Sequence, residues 1–496
     1  MDCALSLAAD GGVEVLAGRG YRARPGIRVS VYDLPPNCTS WMNIARNHRP
    51  LHLLLWQRLQ SAGALTADAG QADYHFIPLN SRNNDYERMA RWAIPYVQQT
   101  WPHWGRDLGS RHLAIHSGDL GRRGFLNDLT VPTRAALNDS IANVTWLTHW
   151  GLTRFHKGGH WAASHRPGKD IVIPPLISSS RGIHLSPLNP AAPRPNRTGL
   201  LYFAGRVCGD QQPPSPDTGR CDENDPHADF SGGVRQQVFE HHHAREGFTL
   251  VPEERESEAV QAMSSHTFCL SVPGAGFDSR AVLAVLLGCV PVTIGDGILQ
   301  PFEPELPWQD FSVHVPEADI PRLHTLLGAM PLERVQAMQA QLPCMAQHLY
   351  YSSSLGAVFG EDGRYDAFET LMEILRVRQE HPGVSPERYR EVDERFRAFA
   401  DCRLGEPRPG VLCTQGGERL RPDTPTCREC HKLSEQHRTG SSFLNAPGGA
   451  ICCAEPNAAK CARVAAGEPA SGAMEAAEPG VGADAGRGPG GGERLR

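Results

Sequence analysis

The segment from Phe268 to Ile294 constrains the fold more than any other stretch of the chain. An apolar run, Phe268-Cys269-Leu270-Ser271-Val272, leads into Pro273-Gly274-Ala275-Gly276-Phe277, then a helix from Arg280 to Leu287, then a second apolar run, Val290-Pro291-Val292-Thr293-Ile294. That order is a strand, a glycine loop, a helix and a strand, the crossover that joins neighbouring strands of a parallel sheet. Gly274 and Gly276 permit dihedrals and backbone approaches that other residues resist, and Asp278 or Ser279 suits the N-cap of the helix. Amides at a helix start, the helix dipole and the Arg280 guanidinium all favour a phosphate or diphosphate. A plain βαβ turn with Arg280 in a surface ion pair would have the same spacing.

The same rhythm extends in both directions. Ile27–Tyr32, Ala72–Pro78, His112–His116 and Asp170–Pro175 read as strands between helical segments such as Leu51–Ala62, which makes a first α/β lobe. A Pro-rich polar stretch, 186–198, has the composition of a linker, and Gly199–Gly205 opens a second alternating block that runs to about Arg378, with helices at 321–330 and 367–378. Asp210–Phe230 reads as a surface insertion stapled by Cys208 and Cys221. The resulting division is a loose leader (1–25), a first lobe (26–190), a second lobe (191–380), a helical then Cys-rich tail (381–462) and a disordered low-complexity end (463–496). A chain of 496 residues exceeds what one core supports, in keeping with two lobes.

A net charge of -6 with scattered Lys and Arg provides no cationic face for nucleic acid. Fourteen cysteines and the sequons at Asn37, Asn138, Asn143 and Asn196 point to an oxidising, glycosylating compartment. No apolar run approaches the roughly 18 residues needed to cross a bilayer, and Met1 to Gly20 lacks the pattern of a signal peptide, so the expectation is either that the true N-terminus, with a membrane anchor, lies upstream of this sequence or that the protein is not secretory. Cys427-Arg428-Glu429-Cys430-His431 resembles half of a zinc knuckle, but Cys452-Cys453 makes an awkward second pair, so disulfides are the favoured use of the tail cysteines and zinc the lesser reading. Cys269 and Cys289 read as core residues or a local disulfide, and His241-His242-His243 as a solvated helix end.

Phe268-Cys269-Leu270, Pro273, the glycines, Ser279-Arg280, Gly288-Cys289, Pro291-Val292, Asp296, Pro301-Phe302-Glu303 and Trp308-Gln309-Asp310-Phe311-Ser312-Val313 together resemble the C-terminal half of the exostosin domain, glycosyltransferase family 47. Val31-Tyr32-Asp33-Leu34-Pro35, Ala72–Pro78, Lys169–Pro175 and Phe203-Ala204-Gly205-Arg206 are similar to its other landmarks, so that the likeness covers about residues 26–380. It implies a GT-B-like α/β fold, two Rossmann-like lobes facing a cleft. It also implies an inverting transferase that takes a UDP- or GDP-sugar as substrate, needs no cofactor, delivers the sugar to a glycan acceptor, and works on the lumenal side of the Golgi membrane. Hetero-oligomers with related transferases belong to the same expectation.

The chain contains no Asp-x-Asp triad, so phosphate neutralisation is expected from helix amides and arginines, with no metal site. Arg206, Gly274, Gly276, Ser279, Arg280, Asp296 and Glu303 are the donor-side candidates. An inverting transfer needs a base for the acceptor hydroxyl. Asp119, in Ser117-Gly118-Asp119-Leu120-Gly121, is the first choice, with His116, His149 and Asp73 behind it. Two positions depart from the resemblance: Leu283 stands where relatives carry an acid, and Gly118 where they carry histidine. Both fit an alternative in which the chain is a catalytically silent, glycan-binding or partner-stabilising subunit.

Overall fold

A computed structural model of the chain describes residues 26–35, 38, 51–80, 89–137, 141–177, 183–189, 196–253, 256–352 and 363–404, and the strands 411–415, 418–419, 444–446 and 450–454. The chain divides into two compact units, Met1–Arg408 and Pro409–Arg496.

In the first unit, β1 (Val29–Val31), β2 (Tyr74–Asn80), β3 (His112–His116), β4 (Thr145–Thr148) and β6 (Ile171–Val172) form a parallel sheet in the order β1-β2-β3-β4-β6. Every residue of β3 and β4 is buried, as expected of parallel strands covered on both faces. A second parallel sheet is built from β7 (Gly199–Ala204), β8 (Phe248–Val251), β9 (His266–Ser271), β10 (Val290–Thr293) and β12 (Val313–His314), in the order β12-β10-β9-β7-β8. The order in which strands are added reverses between β7 and β9, with β8 on one side and β10 on the other. In open α/β sheets such a reversal opens a crevice at the carboxyl ends of the two strands, where ligands bind.

Several contacts fix the lobes to each other, among them a strand pair and a helix. Gly151–Leu152 (β5) and Ile298–Leu299 (β11) pair antiparallel, one strand from each lobe. The helix Ala367–Glu380, capped by the Asp366 carboxylate on the Glu369 amide, buries Phe368, Leu371, Ile374 and Leu375 and returns to the first lobe. There Arg378 donates to the carbonyl of Lys169 (2.8 Å), Gln379 to the Asp73 carboxylate (2.7 Å) and the Tyr74 hydroxyl to the carbonyl of Leu375 (3.2 Å). One apolar cluster therefore runs from Val29, Phe76 and Ile115 through to Leu201, Phe268 and Val292.

Disulfides join Cys208 to Cys221 across the insertion, Cys269 to Cys289 between adjacent strands, and Cys344 to Cys402. The last pairing takes Cys402 out of the tail cluster to which its position in the sequence assigned it. The expected linker begins as packed chain: the Ser186 hydroxyl is buried and donates to the carbonyl of Leu286 at 2.6 Å. His242 is a correction to the solvated helix end, since its ring is buried and Nε2 donates to the carbonyl of Ile320 at 2.7 Å. Strands β4 and β8 fall in stretches the sequence reading passed over. In the second unit, β13 (Val411–Gln415), β14 (Glu418–Arg419), β15 (Leu444–Ala446) and β16 (Ala450–Ala454) form an antiparallel sheet in the order β14-β13-β16-β15. Cys427, Cys430 and residues 463–496 lie outside the described residues, as does the leader 1–25. Among the described residues no helix is long and apolar enough to cross a membrane.

Candidate active site

At the β7–β9 switch the loop after β9 carries Asp278 between two arginines. Arg280 donates from Nη1 to Asp278 Oδ1 at 2.8 Å and from Nε to the carbonyl of Ala204, the last residue of β7, also at 2.8 Å. Arg235, from the helix Val234–His242, lies 3.5 Å from Asp278 Oδ2 and donates to the carbonyls of Arg206 (2.7 Å) and Val272 (3.2 Å). Both guanidinium groups pack near the Phe203 ring, at 5.4 and 5.3 Å from its centroid. Their side chains are 4% and 16% exposed and that of Asp278 is 7%, so the triad leaves one positive charge in a sheltered place. Removing one partner of such a buried group costs on the order of 3–5 kcal/mol.

The sequence reading did not single out Arg235. Its signal is the helix pattern: with Val238, Phe239 and His242 it falls on the i, i+3, i+4, i+7 stripe, where a cation is out of place unless paired. Ser279 does stand at the N-cap position of the helix Arg280–Leu286, but its side chain makes no capping bond; the Asp278 carboxylate takes the Arg280 amide instead, at 3.0 Å. That helix is seven residues long.

Gly276 and Asp119 meet across the cleft. The Phe277 amide donates to the carbonyl of Asp119 at 2.8 Å, and Gly276, at φ +142°, is pressed so close that an added Cβ would land on the same oxygen. The Gly274 amide closes the loop onto the carbonyl of Gly276 at 3.1 Å. A small cavity of about 30 Å³, open to the cleft, is lined by His149 and Trp150 from the first lobe and by Ser271, Phe277, Asp278 and Gln300 from the second.

Among the base candidates, Asp119 is half-buried at the lobe contact. His149 lines the cavity with its ring 4.9 Å from that of Phe277. Its Nδ1 is 2.8 Å from the carbonyl of Ile173. A carbonyl only accepts, so Nδ1 carries the hydrogen and Nε2 the lone pair. His116 turns back on its own loop, accepting the Gly118 amide at Nδ1, 3.2 Å away. Its ring fills the space that a side chain at 118 would need, a local reason for glycine there. Asp73 sits at the opposite end of β2, where the Arg28 amide (2.7 Å) and Gln379 engage it.

The remaining donor-side candidates surround this centre. Arg206 curls onto its own disulfide-bonded loop, donating to the carbonyls of Cys208 and Gly209 and covering the Phe230 ring. Asp296 belongs to a lobe-bridging cluster: its amide donates to Glu317 Oε1 (2.7 Å), which also accepts from His156 Nε2 (2.7 Å), and Arg154 is 3.4 Å from its carboxylate. Leu283 helps line an apolar pocket with Tyr202, Phe203, Met263 and Leu270, beside Arg280.

Glu303 accepts the Gln300 amide at 2.7 Å. Burial pushes its carboxyl up from the ordinary 4.5 to about 7, with Glu305 adding to the rise and the Gln300 amide opposing it. A carboxyl raised in the folded state stabilises the fold fully below the unfolded value, and that contribution is lost as pH rises through the folded one. The wild type is therefore expected to lose on the order of 3 kcal/mol between about pH 4.5 and 7 from this group, and Glu303→Gln to remove that part of the slope. Urea midpoints of both proteins at the two ends of the window check it.

The family profile described as "Exostosin GT47 domain" matches residues 23–330. The chain belongs to that family. It is 26% identical over 378 residues to "Probable glucuronosyltransferase GUT1" of Oryza sativa subsp. japonica, covering 72% of this chain and 82% of that one. To "Probable beta-1,4-xylosyltransferase IRX10L" of Arabidopsis thaliana it is 27% identical over 351 residues, covering 66% and 77%. Among solved structures, a glycosyltransferase from Rickettsia africae ESF-5 superposes with a TM-score of 0.31 at 8% identity, over 73% of this chain and 100% of that one. As an exostosin GT47 protein the chain is a glycosyltransferase, and the cavity between its lobes is the candidate active site.

Proposed function

We propose that this GT47 protein transfers a hexosyl or pentosyl group from a UDP- or GDP-sugar to a glycan, with inversion at the anomeric carbon and without a metal. The observation that carries the reading is the closure of the loop Pro273–Ser279 onto Asp119 around the cavity, beside the Arg235–Asp278–Arg280 triad at the switch point of the second sheet. The departing nucleoside diphosphate would be stabilised by the arginines and by amides of the glycine loop. The acceptor hydroxyl loses its proton as its oxygen bonds the anomeric carbon, and the bond from that carbon to phosphate oxygen breaks, its electron pair leaving with the diphosphate. The proton goes to one of the two groups the first lobe brings to the cleft, Asp119 or His149. The names of the relatives support a glucuronosyl or xylosyl donor. Three disulfides support a lumenal, oxidising address such as the Golgi.

A second reading, a silent glycan-binding subunit, is favoured by Arg206 and Arg280 each bonding to protein groups and by the apolar Leu283. The two separate in one assay. Under transfer, UDP or GDP raises the melting temperature, and a panel of UDP- and GDP-sugars yields free nucleotide in the presence of EDTA. A silent subunit releases none, and release that stops in EDTA removes metal independence.

A further inference from the structure

Asp278 is only half used by the protein. Its Oδ1 accepts both the amide and Nη1 of Arg280, at 3.0 and 2.8 Å. Its Oδ2 is buried and accepts no hydrogen bond from the described residues; its ion-pair neighbour, Arg235 Nη2, stands 3.5 Å away, beyond a good hydrogen-bond length. A buried carboxylate oxygen without a donor is costly, and native structures seldom keep one without a reason. Asp278 lines the cleft cavity, opposite His149 of the other lobe. A group bound there lies between the donor-side triad and the first-lobe residues, which is where the sugar being transferred must sit.

Building on the nucleotide-sugar reading, we propose that Asp278 Oδ2 accepts a hydrogen bond from a ring hydroxyl of the transferred sugar and so helps set which donor is used. A hydroxyl supplies what Oδ2 lacks, a donor on a short, directional reach, and the two arginines hold the carboxylate at the site where that hydroxyl arrives. The nucleoside and its phosphates have no part in this contact, so the proposal distinguishes the sugar from the nucleotide that carries it.

The test uses Asp278→Asn in the full chain. Asparagine keeps one oxygen for the Arg280 amide and replaces Oδ2 with an N–H donor. Affinities of wild type and variant are measured by calorimetry for UDP, UDP-glucose, UDP-xylose, UDP-N-acetylglucosamine and GDP-mannose. The expected result is a loss about 10-fold or more greater for the sugar nucleotide that wild type binds best than for its bare nucleotide, because any effect of the neutralised carboxylate on the two arginines falls on both ligands alike. Deoxygenating that sugar one position at a time supplies a second arm: one hydroxyl should matter to wild type and be indifferent to the variant. If the variant moves nucleotide and sugar nucleotide together, or moves neither, or if no single hydroxyl couples to it, the proposal is overturned while the nucleotide-sugar reading stands. If wild type binds neither UDP nor GDP, that reading itself fails. Nucleotide binding by the variant also reports that it has folded.

Discussion

Alanine at position 276 should lower kcat/KM by about 100-fold or more while leaving the protein folded. Gly276 combines two constraints: a φ of +142° that L side chains rarely adopt, and direct contact with the carbonyl of Asp119 in the facing lobe. A Cβ there must push the loop off Asp119 and break the bond from the Phe277 amide. The backbone strain costs about 1–3 kcal/mol, enough to lower the denaturant midpoint without unfolding a protein with two large cores. The catalytic loss comes from geometry, because a displacement near 1 Å between the lobes is worth about 100-fold in rate. Gly274→Ala is the milder comparison: its Cβ meets no backbone atom but presses on Arg235 Nη2 at 3.1 Å, so a loss smaller than at 276 is expected. Equal losses for the two would remove the lobe contact from the mechanism.

That contact was legible only in part. Gly274, Gly276, Ser279 and Arg280 cluster because they share one strand–loop–helix unit, and local order in the sequence is local order in space. The strands were readable for the same kind of reason: His112–His116 is wholly buried, and Leu113-Ala114-Ile115 at its middle is the apolar run a covered parallel strand selects. Phe248–Val251 is an edge strand, half exposed, and carries a weaker pattern. Composition misled at Ser186, where a polar, Pro-rich stretch begins with a buried hydroxyl bonded to Leu286.

What sequence cannot supply is the partner of each group across tens or hundreds of positions. Arg280 looked available for phosphate, and its bond to the carbonyl of Ala204 is visible only in three dimensions. Asp278 looked like a cap, and it is one, but it also lines the cavity and its second oxygen is buried without a hydrogen bond from the described residues. Asp296 followed the family order into a bridge with Glu317 and Arg154, outside the cavity lining. Gly118 looked like a lost histidine; the ring of His116, two residues earlier, occupies the room.

His149→Asn should separate chemistry from binding. Asparagine presents an N–H close to the position of Nδ1, so the bond to the carbonyl of Ile173 can persist, while Nε2 disappears along with the ring that packs on Phe277. If Nε2 takes the acceptor proton, kcat falls by about 100- to 10,000-fold, the range for removing a positioned base, and KM for the donor stays within a few-fold because the base touches the acceptor and not the nucleotide. UDP affinity, measured directly, should be within threefold of wild type. Asp119→Asn is expected to cost less, since the bond that joins the lobes uses its backbone carbonyl, which the substitution leaves in place. The reverse ranking, with His149→Asn within tenfold of wild type and Asp119→Asn down by 100-fold or more, would assign the proton to the Asp119 carboxylate and leave His149 as a prop for the Phe277 ring.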